Sequence, residues 1–132
     1  MKRPLLVLSL VLACAVARGE APQAMQHVPT TVAEWARGAQ LYDGLGDSHR
    51  RITTSSPEAQ KYFDQGMRFT YAFNHDEATR SFARAAELDP HCASCYWGVS
   101  LTVGPNYNLP FMVNERAKVA VEALGCPGKT GA

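Results

Sequence analysis

Between residues 57 and 90 the chain repeats apolar positions at helical spacing, in the run PEAQKYFDQGMRFTYAFNHDEATRSFARAAELDP. Tyr62, Gly66, Phe69 and Phe73 are three or four residues apart, which gathers them on one face of a helix. A second amphipathic pattern follows the polar turn Asn74-His75-Asp76, so two helices joined by a short hairpin are predicted. Gly66 has no side chain and lets the partner helix approach closely. Ala78 and Ala85 keep the second helix narrow on its contact face, Phe69 and Phe82 fill the seam, and Pro90 fixes the stop. Ser56 supplies a cap, Pro57 the first helical position and Glu58 an acid at the positive end. Asn74, with Glu77 three residues on, starts the second helix in the same way.

The flanks extend the helical pattern less regularly. Residues 32–42 read as a short helix carrying Trp35, capped by Thr30 or Thr31 with Glu34 near by, and ended by Gly44 and Gly46. Residues 43–56 form a loop rich in Gly, Ser and Thr, in which His49 is expected to be solvated. Residues 95–103 read as a further helix, with Tyr96 and Val99 as its large apolar positions and Ser100 as its small one. The run 104–110, GPNYNLP, breaks it. Residues 115–124 are helical again, with Asn114 as cap and Ala117, Ala120, Val121 and Leu124 as the apolar side. Residues 125–132, GCPGKTGA, are a breaker-rich tail read as disordered.

The front of the chain has a different character. Met1-Lys2-Arg3 precedes an apolar run over 5–17, too short for a spanning helix and closed by Ala15-Val16-Ala17. This is the pattern of a secretory signal peptide over 1–17, followed by a flexible leader over 18–31. The expectation is export, with the periplasm as destination. Val11-Leu12-Ala13-Cys14 also resembles a lipobox, which would tether the protein to a membrane face through Cys14. Without residues 1–17 the chain carries 11 Lys+Arg (13 minus Lys2 and Arg3) against 12 Asp+Glu. That balance makes no electrostatic case for nucleic acid or an anionic membrane surface. Residues 18–132 contain no transmembrane pattern.

The 57–90 pattern resembles the tetratricopeptide repeat, its roles falling on Tyr62, Gln65, Gly66, Phe69, Ala78, Phe82, Ala85 and Pro90; Gln65 alone departs, where a Leu belongs. The wording of residues 41–46, 52–77, 88–90, 96–98 and 104–108 is similar to the N-terminal part of exported bacterial tetratricopeptide-repeat proteins. Members often carry two His where this chain has Ser48 and His49. The resemblance implies an all-α solenoid without established activity, here one full repeat and a variant second over 57–124, preceded by a capping helix and loop over 32–56. Since such arrays usually need about three units, the count points to a fragment of a longer solenoid; a minimal domain capped by the Trp35 helix is the alternative. In such arrays the first helices line the concave surface. That assigns Gln60, Phe63, Met67, Thr70 and Tyr71 to partner binding, with Phe63 and Met67 also readable as core.

Cys92-Ala93-Ser94-Cys95 is the one chemical motif. Haem attachment requires His where Tyr96 stands. A zinc site would combine His91, Cys92 and Cys95 with Cys126 or His75; a redox pair would use the helix start to lower a thiol pKa; a structural disulfide suits an exported protein and leaves Cys126 as an odd thiol. His75, in the hairpin turn, reads as solvated or capping. No phosphate loop, nucleophile elbow or H-E-x-x-H occurs. The expectation is a non-catalytic module that needs no cofactor and binds a protein or peptide. The alternative is an accessory redox or metal-handling protein that uses Cys92 and Cys95.

Overall fold

A computed structural model describes residues 27–125. The residues read as a signal peptide, Cys14, most of the expected leader, Cys126 and the tail beyond Gly125 lie outside them. Among the described residues all regular structure is helical: α1 Val32–Ala36, α2 Pro57–Tyr71, α3 His75–Leu88, α4 Ala93–Val103 and α5 Asn114–Gly125. None of these helices is long and apolar enough to cross a membrane. Each of α3, α4 and α5 packs against the helix before it, and α2 also touches α4.

The starts of α2 and α3 follow the sequence. Ser56 Oγ accepts from Ala59 N at 3.1 Å, and Asn74 Oδ1 accepts from Glu77 N at 3.4 Å. Between them the hairpin closes with Asn74 N donating to Phe69 O at 2.9 Å and Phe73 N to Thr70 O at 3.1 Å. Phe73 takes the left-handed position at φ 59°, where glycine is usual and a bulky side chain costs about 1–2 kcal/mol. The seam is centred on Phe82. Its ring lies against Phe63, centroids 5.3 Å apart, with Gly66 of α2 and Gly98 of α4 close beside it. Ala78 and Ala85 are fully buried in the same core. Across the next seam the Thr79 and Thr102 hydroxyls are 2.8 Å apart. Ser100 does face α5, its Oγ 3.5 Å from Ala120 O.

Three expectations are corrected. First, α1 ends at Ala36 instead of running to Tyr42. Arg37 is extended and Gly38 sits at φ +78°; residues 40–42 are then drawn onto Gln65, which donates Nε2 to Gln40 O and accepts from Tyr42 N through Oε1, both at 2.8 Å. Second, α1, expected as an N-terminal capping helix, packs on α3 and touches α5, with Trp35 buried and the Arg80 and Arg116 guanidiniums 5.3 and 5.4 Å from its ring centroid. Arg80 pairs with Glu77 and Arg116 with Asp76, so two balanced cations clamp one indole. Third, the buried side of α5 is Val119 and Ala123, with Ala120 packed against the core, whereas Val121 and Leu124 are exposed. Small residues meet α4 there, and small residues let helices approach closely.

Candidate binding surface

The residues assigned to partner binding do not share one open face. Phe63 is 1% exposed and Met67 is buried, so both are core; Phe63 packs on Phe82. Thr70 is half-buried and donates back to Gly66 O at 2.8 Å. Only Tyr71, 77% exposed, stands freely in solvent. Gln60 is engaged, but by this chain itself.

Residues 48–55 run as a strap along α2 in the opposite direction, pinned at successive helical turns. Arg68 donates Nε and Nη2 to Ser48 O at 3.0 and 2.6 Å. Asp64 accepts from Arg50 N at 3.0 Å. Gln60 accepts from Ile52 N at 3.0 Å and donates to Arg50 O at 2.9 Å. His49 keeps an exposed ring, yet its Nδ1 is 2.7 Å from Asp64 Oδ2. Asp64 is buried and takes a further bond from Gln60 Nε2 at 3.0 Å. Beyond the helix start, buried Asp89 accepts from Thr54 Oγ1, Ser55 N and His91 N. The Thr54 hydroxyl is the main reason that the Asp89 carboxyl is held below its ordinary range, and the two backbone donors add to it against the opposing effect of burial. Sequence reasoning missed Asp64, Arg68 and Asp89 as anchors. The signal was present in Gln60, Asp64 and Arg68, polar residues at i, i+4 and i+8 of a helix otherwise rich in apolar contacts.

Between the strap and α4 lies an open cleft of about 460 Å³, bounded by Arg51, Thr53, Phe63, Ala93, Ser94 and Trp97. Trp97 is 48% exposed and Leu101, one turn on, 44%. α4 is apolar on nearly every side, so burying Tyr96, Val99 and Val103 leaves these two outside. Neither was singled out from the sequence, because α4 lacks the polar face that would have marked its open side.

Cys92 and Cys95 are joined in a disulfide, Cα atoms 5.3 Å apart. Cys92 caps α4, its Sγ accepting from Cys95 N at 3.2 Å. Both residues are fully buried, so an attacking thiol reaches the bond only after α4 opens locally. His75 cannot complete a metal site with them. It begins α3 and they follow its end, and 14 residues span about 20 Å at about 1.5 Å per residue. Among the described residues no three His, Cys, Asp or Glu gather at ligating distance. Of the two roles expected for His75, solvated or capping, the solvated one does not hold: both ring nitrogens are buried without a hydrogen-bond partner among the described residues, as are Arg116 Nη1 and Trp35 Nε1.

Comparison with family models, with curated proteins and with solved structures returned no match.

Proposed function

We propose that the chain is a non-catalytic helical-repeat module of tetratricopeptide type, which binds an extended segment of a protein partner at the cleft beside α4. The observation that carries this reading is exposed Trp97 lining the cleft, with exposed Leu101 one turn on along α4. Half-exposed aromatic side chains beside a pocket are the usual anchors of protein recognition. The repeat type is supported by Gly66 and Ala78 packing with Phe82 in the α2–α3 hairpin. Export is supported by the pattern of residues 1–17 and by the Cys92–Cys95 bond, since disulfides persist in oxidising compartments.

The test is selection of twelve-residue peptides from a displayed random library by the immobilised protein, followed by titration of the selected peptides against the wild type and Trp97→Ser. Binding that weakens at least tenfold in Trp97→Ser is expected. Equal binding to both proteins, or no peptide enriched over a blank surface, overturns the reading.

A further inference from the structure

The strap is held along one edge only. Ser48 O, Arg50 N, Arg50 O and Ile52 N all turn toward α2. These belong to every second residue, which is how an extended strand divides its main-chain groups between two sides. The match to α2 is metric. Two extended residues advance about 6.6 Å, and four helical residues about 6 Å, so positions 52, 50 and 48 meet Gln60, Asp64 and Arg68 in step. In such a strand the N–H and C=O of Arg51 face the other way, and Thr53 follows at a bend. No hydrogen bond from either main chain to a described residue exists, and both residues are exposed. The protein thus presents a short extended edge, backed by a helix and beside the cleft of Trp97.

We propose that this edge takes a partner peptide by strand addition. The incoming chain pairs its backbone with Arg51 and Thr53, and its alternate side chains enter the cleft over Phe63 and Trp97. The proposal rests on the peptide-binding reading above and deepens it by naming the conformation and charge of the ligand. An extended ligand is favoured over a helical one because a helix has already used its main-chain groups, whereas an edge gains affinity from them. The charge follows from Arg51. Its guanidinium has no ion-pair partner among the described residues, so a peptide that alternates acidic with apolar residues can set its acids on the face of Arg51. A second copy of the chain is disfavoured at the same edge, since pairing it with itself sets the Arg51 side chains of the two copies against each other.

The experiment compares two displayed peptide libraries, one alternating acidic and apolar positions and one of equal length without pattern, on the purified protein. Enrichment from the patterned library is expected. Amide hydrogen exchange then reads the edge directly. In the free protein Arg50 and Ile52 exchange slowly while Arg51 and Thr53 exchange fast; with a selected peptide bound, Arg51 and Thr53 slow at least tenfold. Arg51→Pro removes the outward N–H and leaves the bond from Arg50 N to Asp64 in place, because proline asks its predecessor to be extended. It is expected to weaken binding at least tenfold, and more than Arg51→Ala, which removes only the charge. Peptides that bind through Trp97 without protecting Arg51 and Thr53, or that bind Arg51→Pro as tightly as wild type, overturn strand addition while leaving the peptide-binding function standing. Failure of both libraries to yield a binder overturns both.

Discussion

Gly98 and Phe82 stand so close that a Cβ on the glycine would lie 2.5 Å from Cδ1 and Cγ of the ring. A Cβ on Gly66, on the opposite helix, would lie 2.7 Å from the same ring. One phenylalanine therefore sets the distance of both α2 and α4 from α3. Gly98→Ala is expected to destabilise the fold by about 1–3 kcal/mol, the usual cost of overpacking, despite alanine's better helix propensity. Urea unfolding measures it. Combining Gly98→Ala with Phe82→Leu, which gives the new methyl room, should cost less than the sum of the two single changes. Strict additivity would mean that the ring is not what the methyl meets.

Gln65 occupies the position where the repeat pattern asks for leucine, and restoring the leucine is expected to harm the protein. Its amide serves Gln40 O, Tyr42 N and the buried Ser81 Oγ. Gln65→Leu removes these three bonds, leaving Ser81 Oγ only its bond to Glu77 O, and should destabilise by about 1–3 kcal/mol, with faster amide exchange at Tyr42. A stabilised Gln65→Leu protein would show that the extended run 40–42 contributes nothing to the fold.

Asp89 gives stability a defined dependence on pH. Its folded carboxyl titrates below the usual value because Thr54, His91 and Ser55 donate to the charged form. The contribution is therefore complete above the unfolded-state value of about 3.9 and is lost as pH falls through the lower folded value. Urea midpoints followed from about pH 6 to pH 3 should decline more steeply for wild type than for Asp89→Asn. Parallel curves would remove Asp89 as the anchor of the strap.

The Cys92–Cys95 bond closes so short a loop that the chain-entropy account allows it only about 2 kcal/mol. Cys92→Ser with Cys95→Ala keeps an acceptor at the α4 cap and should lower stability by no more than about that amount, with helix content unchanged by circular dichroism. Collapse of cooperative unfolding would instead make the bond indispensable to the fold.

What could be read from the residues was what neighbouring residues decide. Ser56-Pro57, Asn74 with Glu77, and the spacing of Gly66 to Phe82 specify α2 and α3, because caps and close approaches are local or periodic. The length of α1 was not legible. Tyr42 leaves the helical path for an acceptor 23 residues away on Gln65, and no window around 32–42 contains that. The buried side of α5 was ambiguous for another reason: Ala117 and Ala120 suit either face, so Val121 and Leu124 misdirected the reading toward size. The strap was taken for a loop because its order comes from side chains of α2 bonding its backbone, and neither partner's sequence announces that pairing. Of the two readings open for Phe63 and Met67, surface and core, burial selects core.

The chain holds two tryptophans, and the clamp around one of them separates their optical behaviour. Trp35 is 2% exposed between Arg80 and Arg116, while Trp97 is half in solvent at the cleft. Acrylamide quenching therefore divides the emission into a shielded component that follows unfolding and an accessible component that follows occupancy of the cleft. The unlabelled protein carries its own pair of fluorescent gauges, one for integrity and one for binding.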